Sequence, residues 1–296
     1  MSIFLDFDGT ITARDTIGDL AKAALRIQSA RGVDLDKEWD EVVQSYVRDY
    51  ENHVDEYHIK EEERQRPAIE VEFLRAMKTV ELKSLDRINA CGVFKGVSEE
   101  DLRQAGREAV ADGTVKIRPG FEKFVHRRVK EGWRIWVISV NWSTAFIEGV
   151  LEDCPEIHVI ANRIAEDGDG RGVVLGPQVL GTINDKREAC PEDPQNLTNS
   201  GDKLDVMKGV LLRDGVDMAP SFYFGDSITD LECLLHAMYG IVIADGEGEN
   251  SKLLQTLRRI GKDVPRTRET EALIHGLTWA EDFEEVDGFV TFGFGA

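Results

Sequence analysis

Residues 2–12, Ser-Ile-Phe-Leu-Asp-Phe-Asp-Gly-Thr-Ile-Thr, place the strongest constraint on what this chain can fold into. A short apolar run ends in two carboxylates one residue apart, then a glycine and two hydroxyls. That is the pattern of a buried strand delivering Asp6 and Asp8 to its carboxyl edge. Burying one carboxylate without a partner is costly, and two side by side repel each other. The pair therefore asks for a cation, and magnesium, which accepts carboxylate, carbonyl and water oxygens, suits it. A strand end followed by an ordinary turn is the alternative, and the rest of the chain must decide.

The pattern after Thr12 is helical. Ile17, Leu20, Ala21, Ala24 and Leu25 recur at helical spacing, as do Trp39, Val42, Val43, Tyr46, Val47 and Tyr50, then Ile69, Phe73, Ala76, Met77 and Val80. Ser98-Glu99-Glu100-Asp101 has the form of a further helix start with acids in its first turn. Residues 15–114 thus read as an all-helical insertion. Within it, Glu61-Glu62-Glu63 reads as a solvated helix face, and His53 and His58 as a solvated pair, since their spacing does not place both on one helix face for zinc.

Strand patterning resumes beyond the insertion. Arg118-Pro119-Gly120-Phe121 reads as a turn into a helix with proline at its first position, ending near Lys130-Glu131-Gly132. Trp133–Ile138 reads as a second buried strand ending at Ser139, with Asn141-Trp142-Ser143-Thr144 supplying capping side chains. Ile157–Ile160 gives a third strand, and Asp167–Gly172 a tight hairpin turn. Asn184–Gly201 is loop-like. A helix near Lys203 then leads to the strands Ser221–Asp226 and Gly240–Asp245. Strands alternating with helices predict an α/β fold: a doubly wound, parallel Rossmann-like sheet whose ligand sits beyond the carboxyl ends of the strands. Asp6, Asp8, Ser139 and Asp226 all fall there. The aromatic tail, Trp279–Ala296, reads as packing for an edge of the core.

Gly225-Asp226-Ser227-Ile228-Thr229-Asp230 is the second acidic motif. One aspartate can ligate a metal while the other, a helical turn on, orients the ligands or pairs with a lysine. No Gly-rich nucleotide loop is present. The net charge of -20 in 296 residues argues against nucleic-acid or anionic-membrane partners but not against a small phosphorylated substrate. No apolar stretch is long enough to span a bilayer, and no basic-then-apolar leader appears. Cys91, Cys154, Cys190 and Cys233 lack paired spacing and read as free thiols of a cytoplasmic protein.

These ordered motifs resemble the haloacid dehalogenase superfamily of phosphotransferases, and look most like its phosphoserine-phosphatase-like branch. The resemblance implies a discontinuous catalytic core, residues 1–14 and 115–296, with 15–114 as a helical cap. It implies a magnesium-dependent phosphatase of a small phosphorylated metabolite. Asp6 would be the nucleophile, forming an aspartyl-phosphate, and Asp8 the proton donor and then base. The metal site would use Asp6, Asp226 and the backbone carbonyl of Asp8, with Asp230 in support. Ser139 would bind phosphoryl oxygens through hydroxyl and amide, and a lysine would neutralise the developing charge. Lys203 fits that lysine better than Lys186, because it opens a predicted helix at a distance from Asp226 similar to the family's. Asp8 disfavours dehalogenation, since dehalogenases of this family lack the second aspartate.

Substrate choice is less legible. Asp15 stands where phosphoserine phosphatases carry an acid that meets the substrate amine, or else caps the helix at Thr16. Small glycines usually follow the serine in that family, whereas Val140-Asn141-Trp142 follows Ser139 here, which puts phosphoserine itself in doubt. Asn141 and Trp142 are candidate substrate contacts, with packing of Trp142 against the insertion as the alternative. A phosphomutase on the same core, or a catalytically silent phosphate-binding protein, also stays open, as does the oligomeric state.

Overall fold

The computed structural model describes residues 1–177, 195–213, 220–246, 248, 250–269 and 276–294, with side chains described as far as residue 290. Lys186 and Cys190 lie outside these residues, as does most of the Asn184–Gly201 stretch.

Strand β1 (Ser2–Leu5) is followed by five helices: α1 (Ile17–Ala30), α2 (Asp36–Glu56), α3 (Pro67–Ala76), α4 (Lys78–Cys91) and α5 (Glu99–Ala111). Then come α6 (Phe121–Lys130), β2 (Arg134–Ile138), α7 (Thr144–Val150), β3 (His158–Ile160) and the antiparallel pair β4 (Arg163–Glu166) and β5 (Gly172–Leu175). The chain continues with α8 (Ser200–Arg213), β6 (Ser221–Gly225), α9 (Leu231–His236), β7 (Tyr239–Ile243), α10 (Lys252–Arg259), β8 (Leu277–Ala280) and α11 (Phe283–Phe294). Six parallel strands form one sheet in the order β3-β2-β1-β6-β7-β8.

The central strands are apolar on both faces because both are covered. Ile3 and Leu5 of β1 join Val137, Phe222 and Phe224 in one buried cluster, backed by α6, α7 and α11. Phe4 points the other way, into a second cluster with Trp136, Ile138 and Tyr223, backed by α8, α9 and α10. Register decides the rest. Leu5 pairs with Val137 on one side and Phe224 on the other, so β1, β2 and β6 finish level and release Asp6, Ser139 and Asp226 at the same edge.

The five helices are tied to the sheet side by charge and by close backbone packing. Lys78 reaches Asp202 at 2.6 Å, Arg75 reaches Glu232 at 2.5 Å and Arg259 reaches Glu70 at 2.9 Å. Helix α5 lies directly on α7: a Cβ at Gly149 would come within 2.0 Å of the Arg103 carbonyl oxygen, and one at Gly106 within 2.3 Å of that of Phe146. The Ser98 start is a reciprocal capping box, Ser98 Oγ accepting from the Asp101 amide and Asp101 accepting from the Ser98 amide.

Several local expectations are corrected. Pro119 lies outside α6. Gly120 takes the N-cap with φ +78°, where its backbone packs against Glu284. Glu61–Glu63 are exposed as expected, but on a short 3₁₀ turn rather than on an α-helix. His53 is half-buried between Tyr57 and Phe73, and burial lowers its pKa, so it is not a solvated histidine. The tail adds an edge strand, β8, that its pattern does not announce. Its Phe283 and Phe289 are buried, as a packing role requires.

Candidate functional site

The site is built where β1, β2 and β6 end. Asp6, one residue beyond β1, is only 3% exposed. Its Oδ1 accepts from the Phe7 amide at 2.7 Å and lies 2.8 Å from Lys203 Nζ. Lys203 is fully buried in the first turn of α8 and lies the same 2.8 Å from Asp230 Oδ1. One ammonium therefore bridges the two acidic motifs. Burial pushes the Lys203 pKa down, but attraction from Asp230 and Asp6 outweighs it and holds the group above its ordinary value.

Asp230 is saturated with donors. Lys203 and the Tyr223 hydroxyl, at 2.7 Å, share Oδ1, while the amides of Asp226 and Ser227 and the Ser227 hydroxyl share Oδ2. It thus holds the turn that carries Asp226. Asp226 accepts from Thr10 Oγ1 at 2.8 Å through Oδ1. Carboxylate oxygens of Asp6, Asp226 and Asp230 all lie within 4.8 Å of one another. Burial, then repulsion from Asp230, raises the pKa of Asp226 to about 7, and burial followed by the same repulsion raises Asp6 well above the usual range. Asp6 and Asp226 each keep one oxygen that these contacts do not use. An all-oxygen, anionic donor set of this kind fits a hard divalent cation.

The turn around this cluster depends on Gly9. Its φ of +76° suits glycine, and a Cβ there would stand 2.2 Å from Asp226 Oδ2. Arg118, nearly buried, donates to the Gly9 carbonyl from Nε at 3.0 Å and Nη2 at 2.7 Å, and from Nη1 to Asp245 at 2.6 Å.

Asp8 is held apart from the cluster. Its Oδ1 accepts from the amide and hydroxyl of Thr16 at 2.7 and 2.5 Å, and its Oδ2 from Asn141 Nδ2 at 2.9 Å. Burial, with a contribution from the Asp15 charge, raises its pKa to about 6, against the opposing pull of these hydrogen bonds. Asn141 is buried and its side chain is spent on Asp8 and on the Ser143 amide. Ser139 is also buried. Its amide, expected to meet a phosphoryl oxygen, donates to the Ile160 carbonyl instead, while its hydroxyl accepts from the Asn141 amide and keeps its own hydrogen to donate. Ser143 caps α7, its Oγ accepting from the Phe146 amide.

Asp15 and Trp142 both line a cavity of about 550 Å³. Asp15 Oδ1 accepts from the Ile17 amide at the start of α1, the helix-start role of the two left open by the sequence, and Asp15 also lines the cavity. Trp142 likewise lines the cavity and packs edge-on against Trp39 and Phe94 at 6.2 and 6.3 Å. Thr10, Thr16, Tyr223 and Arg118 are further site residues that the sequence motifs do not single out. Thr10 had a signal, a hydroxyl directly after Asp-x-Asp-Gly, but the other three contacts depend on residues far apart in the chain or on a turn path that spacing does not specify.

The haloacid dehalogenase-like hydrolase model matches residues 3–235. Among curated proteins, the chain is 24% identical over 307 residues to Cold tolerance protein 1 of Saccharomyces cerevisiae, covering 97% of this chain and 92% of that one. It is 25% identical over 283 residues to Bifunctional TH2 protein, mitochondrial, of Arabidopsis thaliana, covering 88% of this chain but 40% of that longer protein. Among solved structures, cytosolic 5'-nucleotidase IIIB bound to cytidine shares the fold with a TM-score of 0.57 at 14% identity, over 99% of this chain and 86% of that one. A protein of unknown function from Bordetella pertussis Tohama I follows at 0.52 and 16% identity, over 88% and 95%. With the family model covering most of its length and the two acidic motifs meeting on one lysine, the chain belongs to the haloacid dehalogenase-like hydrolase family.

Proposed function

We propose that this protein is a magnesium-dependent phosphatase that hydrolyses a small phosphomonoester through an aspartyl-phosphate on Asp6. The observation that carries the reading is the buried Lys203 ammonium, 2.8 Å from both Asp6 and Asp230, at the edge where Asp226 also stands. A cation locked in that position supports phosphoryl transfer, where charge neutralisation and positioning supply most of the catalysis.

In this reading Asp6 Oδ2, the oxygen not engaged by Phe7 or Lys203, attacks phosphorus while the bond to the leaving oxygen breaks. Asp8 gives its proton to that oxygen, which a pKa near 6 supports, since a fraction of the carboxyl stays protonated near neutrality. Asp8, now ionised, takes a proton from water as the water attacks phosphorus and releases Asp6. Thr16 and Asn141 hold both oxygens of Asp8 and so aim it. The Ser139 hydroxyl donates to a phosphoryl oxygen. Magnesium, held by Asp6 and Asp226 with Asp230 in support, would offset the repulsion between anionic nucleophile and anionic ester. The helices of 15–114 act as the cap that selects the substrate and excludes water.

The test is hydrolysis of an aryl phosphate with magnesium, together with radiolabelled phosphate trapped on acid-quenched enzyme. Wild type should turn over and retain label, and Asp6→Asn should do neither. Equal activity in the two proteins overturns the assignment.

A further inference from the structure

The turn that follows β1 is held by an arginine from the far end of the helical insertion. Two linkers join the insertion to the sheet, and they run side by side. Thr12 bridges Ile117, the Ala13 amide donates to the Lys116 carbonyl, and the Arg118 amide donates to that of Ile11. This pairing sets the Arg118 side chain, only 8% exposed, against the Asp8-Gly9-Thr10 turn. Its Nε and Nη2 close together on the Gly9 carbonyl at 3.0 and 2.7 Å, while Nη1 reaches Asp245 at 2.6 Å and the Glu281 carbonyl at 3.4 Å. Asp245 is 79% exposed, so the ion pair itself contributes little. The fork of a buried arginine, which suits a carboxylate or a phosphate, is spent on one main-chain carbonyl. What it fixes is the orientation of two peptide planes. The Gly9 amide donates to Thr12 Oγ1 at 3.2 Å, which aims the Asp8 carbonyl of the same plane the opposite way. The Gly9 carbonyl belongs to the next plane, and Arg118 fixes that one. Thr10 then donates to Asp226 Oδ1 at 2.8 Å, and Gly9 lies against the same carboxylate. The Asp8 carbonyl and Asp226 both belong to the ligand set that the family resemblance implies for magnesium. Arg118 holds the turn that sets them both.

We propose that Arg118 is a positioning residue for the metal site, its fork holding the Asp8-Gly9-Thr10 turn in the shape that binds magnesium. This rests on the magnesium reading above, and its sign is opposite to that of simple electrostatics. A positive charge near the site repels a second cation, so its removal would by charge alone tighten magnesium binding. Loss of the fork weakens it, because the ligands are no longer aimed.

Calorimetric titration of magnesium into the enzyme without substrate reads the affinity directly. Arg118→Met should raise the Kd by about 10- to 100-fold despite the lost charge, the usual cost of removing a group that orients a metal ligand. Arg118→Lys keeps the charge but has no planar fork, and should raise the Kd as well. Asp245→Asn leaves the fork on Gly9 and should bind magnesium as wild type does. An unchanged or tighter Kd in Arg118→Met overturns the proposal, and so does an Arg118→Lys protein that matches wild type. A second measurement needs no variant to fold. Linkage is reciprocal, so a turn that Arg118 prepares for magnesium must grip Arg118 more firmly once magnesium is bound. In NMR spectra of the wild-type protein, solvent exchange of the Arg118 Nε hydrogen should slow several-fold at saturating magnesium, and an unchanged rate overturns the proposal. A wild-type protein that takes up no magnesium in the titration fails the metal reading itself, and the positioning role falls with it.

Discussion

Replacing Gly9 by alanine strikes the site without removing a charge or a hydrogen bond. Two costs follow from the geometry. Gly9 sits at φ +76°, where an L side chain costs about 1–2 kcal/mol. The added Cβ would also stand 2.2 Å from Asp226 Oδ2, whereas real Cβ contacts stay above 3.0 Å, so Asp226 must retreat by about 0.8 Å or the turn must open. Gly32 separates the two effects, because it has φ +80° and nothing within 4 Å of a built Cβ. Gly32→Ala should lose about 1–2 kcal/mol, a drop of a few degrees in Tm for a chain of this size, and Gly9→Ala should lose more, because the clash adds to the same backbone cost. Only Gly9→Ala should also lose activity, by about 100-fold in kcat, the order expected when a reacting group is displaced by about 1 Å. Its half-saturating magnesium concentration should rise as well. Thermal unfolding and magnesium titrations of aryl phosphate hydrolysis read both effects. If Gly9→Ala matches Gly32→Ala in kcat and magnesium requirement, the packing of Asp226 over this turn does not govern the site.

Other perturbations test the remaining contacts. Lys203→Met strands two buried carboxylates and should cost about 3–5 kcal/mol, with partial recovery of Tm in Lys203→Met combined with Asp230→Asn; a single variant as stable as wild type contradicts the bridge. Protonated Asp8 is needed for the first step, so kcat/KM should fall as pH rises through about 6. Asp15→Asn removes a charge that raises the Asp8 pKa and should move that limb to lower pH, whereas Asn141→Ala removes a hydrogen bond favouring ionised Asp8 and should move it to higher pH. Limbs that shift together, or not at all, refute these contacts. Chelation of divalent cations should abolish hydrolysis, and saturating magnesium should raise the wild-type Tm by the stabilisation a bound ligand supplies, about 2.7 kcal/mol at 100 times its Kd. Asp226→Asn should lose most of that rise; an undiminished shift would place the cation elsewhere.

Elements whose signal is local are legible in the order of residues alone. The apolar run before Asp6 and Asp8, the strand before Ser139 and the strand before Asp226 each carry their own pattern, and their parallel pairing follows from the helices between them. The ends of those strands are legible too, because a strand running from an apolar interior to acids has one place to stop. The spacing from Asp226 favours Lys203 over Lys186, and the fold brings Lys203 to both Asp6 and Asp230. What the side chains are spent on follows from the packed fold. Thr10 meets Asp226 across 216 positions of sequence and Arg118 meets Gly9 across 109, and no periodicity encodes a hydrogen bond between such distant residues. The same holds for Asn141 and Ser139: their positions were legible, but that Asn141 supports Asp8 and that the Ser139 amide is used by Ile160 depends on strand register and loop path. Strand β8 is four residues long and gains its place from pairing with β7 rather than from its own pattern. The cavity belongs wholly to the fold, since Asp15, Trp39, Glu81 and Trp142 share a wall only once α1, α2, α4 and the turn after β2 have been packed around it.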